Sequence, residues 1–263
     1  MFRHLLTHAS EHPALAQGQA PPGLLSPREE AILAGLTLLP RRRKWLLGRW
    51  AAKRLLDEVA AEGIDLASGL VCDEDWRRQL SILNDEAGVP YVDREGQGRL
   101  PLSLSISHRG DWGLAAVARL PDATIGADLE TVEPRDPALV RQFFSDSEAK
   151  RVAGSGAVDR TVARIWSAKE AVLKAMGIGL RHDTRDIVVG DEIAALAGLA
   201  DWRTLDIQLA PALAARIAPR SLTVLWRDLD AHVVTVALLK QDSGAIGPLC
   251  AKESSDGITP RRP

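Results

Sequence analysis

Cysteine is nearly absent: Cys72 and Cys250 are the only two, far apart and without the short spacing of a metal site. That excludes a disulfide scaffold and fits a reducing compartment. Net charge is scarce as well, with 33 basic residues against 35 acidic ones and a formal charge of -2. The balance removes any global electrostatic case for a nucleic-acid or membrane protein. Long apolar runs are missing too. None approaches the roughly 20 residues of a membrane span, and Met1-Phe2-Arg3-His4-Leu5-Leu6-Thr7-His8 has no uninterrupted apolar core of a signal peptide. A soluble cytoplasmic protein is expected, with neither nucleic acid nor membrane as partner. The 263 residues, 46% of them hydrophobic, suffice to bury a core as one large domain or two small ones.

What is present is concentrated in two stretches. In Ile125-Gly126-Ala127-Asp128-Leu129-Glu130 the apolar residues alternate with the others, the period of a strand, so Asp128 and Glu130 share a face. Further along, Val162, Ile165, Trp166, Leu173 and Met176 recur near helical spacing, and Gly177 is placed to end the helix in a left-handed conformation. On that helix Trp166, Glu170 and Lys174 lie at four-residue steps and form one stripe. Two carboxylates on a strand and a third on a helix make a hard, oxygen-rich site. With a lysine beside them they match magnesium-assisted chemistry on a phosphate better than a closed structural metal site. Taken one at a time, each has a plainer reading: a solvated strand face for Asp128 and Glu130, a surface ion pair for Glu170 and Lys174.

The pattern Ile125-Gly126-x-Asp128-x-Glu130, followed by Trp166-Ser167-x-Lys169-Glu170-Ala171-x-x-Lys174, resembles the signature of the 4′-phosphopantetheinyl transferases. The Asp-x-Glu pair and the chain length resemble the Sfp-type subfamily. Leu46-Leu47-Gly48-Arg49, Gly88-Val89-Pro90, Ser105-Ile106-Ser107-His108 and Phe143-Phe144-Ser145 match in the family's order, so the likeness covers residues 40–190. It implies transfer of the 4′-phosphopantetheine arm of coenzyme A to a serine of an apo acyl or peptidyl carrier protein, often in secondary metabolism, by a monomer. By the same resemblance Asp128, Glu130 and Glu170 hold Mg2+, and Glu170, directly or through a bound water, and Lys174 carry the catalysis. Some of Arg41, Arg42, Lys44 and Arg49, foremost Arg41, Lys44 and Arg49, bind the phosphates of coenzyme A together with Ser107, His108 and Lys174. One departure stands out: where the family commonly has Gly-Lys-Pro or Gly-Arg-Pro, this chain has Val89, which removes a cation, and Arg109 is a candidate to replace it. Lys169 lies off the stripe and serves either structure or the coenzyme. Arg135, Arg141 and the apolar surface at Phe143 are candidate carrier contacts.

Coarse elements surround these motifs. Residues 1–25 carry a Gly/Pro loop and no clear period. Ser26-Pro27-Arg28-Glu29 reads as a capping box opening a helix to about residue 38. From Pro40 an amphipathic helix begins, whose Trp45, Leu46, Ala52, Leu55, Leu56 and Val59 face a core. Its cations, Arg41 to Lys44, crowd the N-terminal end against the helix dipole, which points to another use of the charge. A helix over 74–83 is expected. Residues 102–108 and 112–118 read as a hairpin through Gly110, with His108 in phase with the apolar residues, so a satisfied structural histidine competes with a phosphate ligand. Phe143 and Phe144 read as core, Ser145-Asp146-Ser147-Glu148 as a second capping box, and 184–189, 205–209, 221–226 and 232–239 as strands. Helices then strands, occurring twice, predict an α+β protein of two similar halves. The halves show no convincing sequence identity on inspection. The resemblance adds a pseudo-twofold relation between two subdomains, each a small mainly antiparallel sheet packed with helices, over 1–123 and 124–240. Residues 241–263, rich in Gly, Ser, Pro and Lys, are expected to form a disordered tail.

Two other functions fit part of the pattern. A magnesium-dependent nuclease or phosphodiesterase needs its lysine two residues after the glutamate, where Val172 stands. A non-catalytic coenzyme A or carrier-binding protein is the other, motivated by Val89.

Overall fold

Two long helices organise the chain, each lying against an antiparallel sheet. The computed structural model describes residues 2–62, 76–196 and 199–241. In chain order its elements are β1 (Phe2–His8), α1 (Pro13–Ala16), α2 (Pro27–Ala34), α3 (Leu39–Ala61), α4 (Trp76–Gln79), β2 (Leu80–Asn84), β3 (Pro90–Arg94), β4 (Gly98–Arg99), β5 (Leu102–Arg109), β6 (Trp112–Arg119), β7 (Ala123–Thr131), α5 (Pro137–Phe143), α6 (Asp146–Ala153), α7 (Val158–Ala175), β8 (Ile187–Leu196), β9 (Leu199–Leu209), α8 (Pro211–Ile217), β10 (Ser221–Leu229) and β11 (His232–Lys240). The fold is α+β, with small antiparallel sheets packed by helices. No described helix is long and apolar enough to cross a membrane.

The sheets repeat one plan. The first has the order β1-β6-β5 and the second opens with β7-β11-β10 before continuing into β9 and β8, while β2-β3-β4 form a third. In both, the first strand of the half pairs with the last strand of a hairpin. The hairpin turns match as well, with Gly110 and Asp230 both in the left-handed region. A short sequence repeat accompanies the repeated topology: Trp50-Ala51-Ala52-Lys53 on α3 and Trp166-Ser167-Ala168-Lys169 on α7.

The repeated lysines share one buried device. Ser26 and Ser145 each cap a short helix, and Glu29 and Glu148 each reach back to close the capping box. Glu29 pairs with Lys53 at 2.5 Å and Glu148 with Lys169 at 2.9 Å, all four side chains fully buried. The other carboxylate oxygen accepts from Ile82 N in one half and from Val189 N in the other. The ammonium groups donate to carbonyls at matching offsets, Arg77 and Leu80 for Lys53, Thr184 and Ile187 for Lys169. A buried ion pair survives desolvation only when its remaining hydrogen-bonding capacity is met in this way. Lys169 is therefore a structural anchor of α7.

Several expectations are corrected. Residues 2–8 form a strand, β1, although no alternation marks it. Of the expected helix over 74–83, residues 74 and 75 lie outside the described residues and the rest is the single turn α4 followed by β2, because Leu80, Ser81, Ile82 and Leu83 are all buried and pair with β3. The second helix stops at Ala34, capped at Gly35. Thr184–Asp186 is a 3-10 turn capped by Asp183, so its strand begins at Ile187. Phe144 is core and Phe143 packs partly against it. The expected tail falls, apart from Gln241, outside the described residues, as do Cys72 and Cys250.

The two sheets meet along β5 and β7, which lie side by side without a shared ladder. Ser103, Ser105 and Ser107 on β5 accept hydrogen bonds from the backbone N of Ile125, Ala127 and Leu129 at 3.0, 2.8 and 3.4 Å. Side-chain hydroxyls thus stand in for the carbonyls of a neighbouring strand, satisfying backbone donors that would otherwise be orphaned.

Candidate active site

On β7 the residues Ile125, Ala127 and Leu129 belong to the core on one face, which turns Gly126, Asp128 and Glu130 to the other. That second face is covered by α7. Asp128 is 2% exposed and Glu130 6%, so the solvated-strand reading does not hold. The glycine of the motif has a physical reason: a β carbon at Gly126 would lie 1.9 Å from the Ala171 carbonyl oxygen. Backbone meets backbone there, and this contact brings the Trp166 stripe down onto the carboxylates.

Lys174 Nζ lies 2.6 Å from Asp128 Oδ1, 3.2 Å from Ala127 O, 3.3 Å from Ser107 Oγ and 3.6 Å from Glu170 Oε2. It is no surface ion pair. Ser107 donates to the same Asp128 Oδ1 at 2.8 Å. Asp128 Oδ2 is buried and has no hydrogen-bond partner. Glu130 is held by Arg135 at 2.5 Å and Arg109 at 3.4 Å, and both arginines also reach Glu133. Trp166 packs partly into the core beside Phe143, ring centroids 5.3 Å apart.

Burial and like charge work together here. Burial, then the charge of Asp128, pushes the Glu170 carboxyl up to about 7, with Lys174 opposing. Burial and Asp128 also raise Glu130, against Arg109 and Arg135. Lys174 feels burial in the opposite sense, but Asp128 and Glu170 outweigh it and keep the ammonium charged. Crowded carboxylates of raised pKa are what a cation relieves. Among the described residues no three His, Cys, Asp or Glu side chains are already drawn together as a metal cluster. Even so, the hard oxygen donors and the unpartnered Asp128 Oδ2 suit magnesium, and Asp128, Glu130 and Glu170 are the residues that could hold it.

Beside this cluster opens a cleft of about 200 Å³ lined by Lys174, Arg49, Val89, Ile106, Gly177 and others. Lys174 belongs to both. Arg49 is buried, stacks on Trp45 and donates to Ile82 O at 2.9 Å, and its Nε has no hydrogen-bond partner. Burial lowers its pKa to about 10, which leaves it charged at neutral pH. A cleft lined by both a buried guanidinium and an ammonium suits an anion.

The remaining candidates divide. Arg41 and Lys44 are exposed in the first turns of α3. His108 is exposed at the end of β5, so it is not a satisfied core histidine. Its pKa is lowered by desolvation and then by the charges of Lys44 and Lys174, which places all three in one field. Arg42 is spent on the carbonyls of Gly18, Leu33 and Leu36 and serves structure. Ser107 is buried among Asp128, Leu129 and Lys174 rather than free for a phosphate. Arg109, the candidate substitute for the missing cation at Val89, is engaged by Glu130 and Glu133. Val172 is fully buried, so the nuclease arrangement of Glu and Lys is not present on α7. The arginine pair around Glu130 had no sequence signal, because the two residues lie on different elements.

The profile of the 4′-phosphopantetheinyl transferase superfamily matches residues 124–228. A holo-[acyl-carrier-protein] synthase of Streptococcus agalactiae is 31% identical over 94 residues, covering 36% of this chain and 71% of that protein. The chain belongs to the 4′-phosphopantetheinyl transferase superfamily. A 4′-phosphopantetheinyl transferase of Bacillus pumilus is 37% identical over 82 residues, 30% of this chain and 34% of the relative. A putative one of Synechocystis is 29% identical over 154 residues, 57% of this chain and 59% of the relative. The chain thus spans about a third of one of these relatives and under two thirds of the other. A holo-[acyl-carrier-protein] synthase structure from Neisseria meningitidis superposes with a TM-score of 0.36 at 20% identity, over 44% of this chain and 97% of that one. The superfamily match begins on β7 and contains Asp128, Glu130, Glu170 and Lys174.

Proposed function

We propose that the protein transfers the 4′-phosphopantetheine arm of coenzyme A to a serine of an apo acyl or peptidyl carrier protein, releasing 3′,5′-ADP, as an Sfp-type enzyme. The observation that supports this best is Lys174, which touches Asp128 and Glu170 and also lines the cleft that holds Arg49. A phosphate-binding cleft and a carboxylate cluster therefore share one ammonium.

The reaction forms a bond from the carrier serine oxygen to the β-phosphorus of coenzyme A and breaks the bridging P–O bond. Catalysis here is alignment and charge neutralisation. Magnesium bound by Asp128, Glu130 and Glu170 would neutralise and orient the pyrophosphate. Glu170, directly or through a bound water, takes the proton of the serine hydroxyl. Lys174 stabilises the charge that develops on the bridging oxygen as it departs with 3′,5′-ADP. Arg49, which lines the cleft, pairs with a phosphate, and Arg41, Lys44 and His108 draw the phosphates toward the cleft mouth. We read residues 1–123 as the coenzyme A half and 124–240 as the carboxylate half. With both halves of the cleft in one chain, a cytoplasmic monomer suffices, and no nucleic acid is needed. Arg141, exposed on α5, is the cation left for an acidic carrier helix, including carriers of secondary metabolism, since Arg135 is held by Glu130.

The test is intact mass spectrometry of an apo carrier domain incubated with the protein, coenzyme A and magnesium, beside Glu170→Gln. A gain of one phosphopantetheine, lost in the variant and with chelator, is expected. Coenzyme A binding with no gain on several unrelated carriers would favour a non-catalytic binding protein and point to Val89, which lines the cleft where a cation is missing.

A further inference from the structure

We infer that Arg109 and Arg135 are a built-in competitor for the metal: they clasp Glu130 in the resting protein and withhold the third carboxylate of the site. The inference rests on the proposed function for the metal, and on ion-pair geometry alone for the clasp. The carboxylates divide into two groups. Asp128 and Glu170 are hydrogen-bonded to each other and share Lys174, at 2.6 and 3.6 Å. Glu130 keeps different company. Its Oε2 meets Arg135 Nη2 at 2.5 Å and Arg109 Nε at 3.4 Å. The same two guanidinium groups reach Glu133 Oε1, Arg109 at 2.8 Å and Arg135 at 3.5 Å. Two carboxylates and two guanidinium groups therefore close a ring of alternating charge. Arg135 also donates to Thr131 O at 3.3 Å, which ties the ring to the end of β7.

The ring is neutral without a metal. A cation that takes Glu130 must break or share these contacts, and it meets two positive charges beside the carboxylate it seeks. The same division explains why Asp128, Glu130 and Glu170 are not drawn together as a metal cluster among the described residues. Asp128 and Glu170 are the resting foothold, and Glu130 joins them when the guanidinium groups yield. A polar partner can also orient a ligating carboxylate, in which case its loss weakens metal binding by about 10-fold to 100-fold. Here both guanidinium groups sit on one oxygen and draw Glu130 toward Glu133, so competition is the expected sense. The two roles predict shifts of opposite sign.

Glu133 sharpens the contrast. It lies at the exposed rim of the ring, its side chain 46% accessible against 7% for Glu130, and it shares both arginines. Without its charge both arginines are left to Glu130, and the metal has more to displace. Neighbouring positions in one ring thus move metal affinity in opposite directions, which a role confined to stability does not produce. Arg141, exposed on α5 and in no ion pair, supplies the control for a general change of charge.

The experiment titrates the full chain with Mn2+ by electron paramagnetic resonance, and with Mg2+ by thermal shift, without coenzyme A. The parent is compared with Arg135→Gln, Arg109→Gln, Arg135→Lys, Glu133→Gln and Arg141→Gln. Arg135→Gln is expected to bind Mn2+ about 10-fold tighter, and Arg109→Gln, whose contact to Glu130 is longer, to shift less in the same direction. Its unfolding temperature in chelator falls, and Mg2+ raises it by more than in the parent. Arg135→Lys keeps the charge but not the guanidinium, lies between the two, and covers the case in which the glutamine variant does not fold. Glu133→Gln binds Mn2+ more weakly, and Arg141→Gln stays within about 2-fold of the parent. Unchanged or weakened Mn2+ binding in the Arg135 and Arg109 variants would overturn the inference, as would an equal gain in Arg141→Gln, or no metal binding by the parent or any variant. Tighter metal binding in Arg135→Gln of a protein that loads no carrier would sink the proposed function and leave the clasp standing.

Discussion

Replacing Gly126 by alanine tests the tightest approach made to any described glycine. The added methyl would sit 1.9 Å from the Ala171 carbonyl oxygen and 2.4 Å from the Ala175 nitrogen, against about 3.4 Å for ordinary contact. Both obstacles are helix backbone, which no rotamer change can move. To restore contact α7 must withdraw by about 1.5 Å. Thr124, whose hydroxyl donates to Ala175 O at 2.9 Å, loses its hold at the same time. Overpacking usually costs about 1–3 kcal/mol, and a backbone obstacle belongs at or above the upper end. The withdrawal also carries Lys174 and Glu170 away from Asp128, opening the 2.6 Å contact. A misplacement of about 1 Å is worth about 100-fold in rate. Gly126→Ala is therefore expected to lose about 3 kcal/mol in urea unfolding, and any folded fraction to load carrier at about 1% of the parent rate. Gly156→Ala, where no atom lies within 4 Å, is the control and should be close to neutral. A Gly126→Ala protein with the parent's unfolding midpoint and loading rate would refute the reasoning that this glycine exists to admit the helix.

Two further outcomes follow from buried groups. Lys169→Met leaves Glu148 buried and charged without its partner and is expected to cost about 3–5 kcal/mol, and Lys53→Met should cost a similar amount through Glu29. Urea unfolding of both reads this, and a neutral result for either would show that the pair is not a structural anchor. His4, with its pKa lowered to about 3 by burial and then by Arg227 and Arg3, stays neutral in the fold, whereas in the unfolded chain it takes up a proton below about pH 6.5. Its share of stability is complete above that pH and is lost as the pH falls toward 3, at up to about 1.4 kcal/mol per unit. Between pH 7.5 and 5 the parent should lose about 2 kcal/mol more than His4→Gln, and parallel pH profiles would contradict the assignment.

What the sequence reveals follows from period. Asp128 and Glu130 share a face because a strand alternates, and Trp166, Glu170 and Lys174 form a stripe because a helix repeats near four, so the cluster is legible from the order of residues alone. Four strands escape notice: β1 and β2 are buried nearly throughout, which removes the alternation that would mark them, and β3 and β4 are too short and too exposed to show one. The basic run of residues 41–44 shows a different failure. Sequence counts its charges, but Arg42 turns back onto three carbonyls while Lys44 reaches the field of His108. Partners distant in sequence decide such roles. Lys169 is ambiguous by spacing alone and unambiguous once Glu148, Thr184 and Ile187 surround it.

The serine seam bears on solubility as well as on the site. β5 and β7 each end a sheet, and an edge strand with free backbone groups is a template for pairing with another molecule. Here the amides of Ile125, Ala127 and Leu129 are occupied by hydroxyls that extend no ladder. A strand from a second chain finds no unpaired row to join, so the edge nearest the carboxylates is closed to aggregation without a proline, a bulge or an added charge.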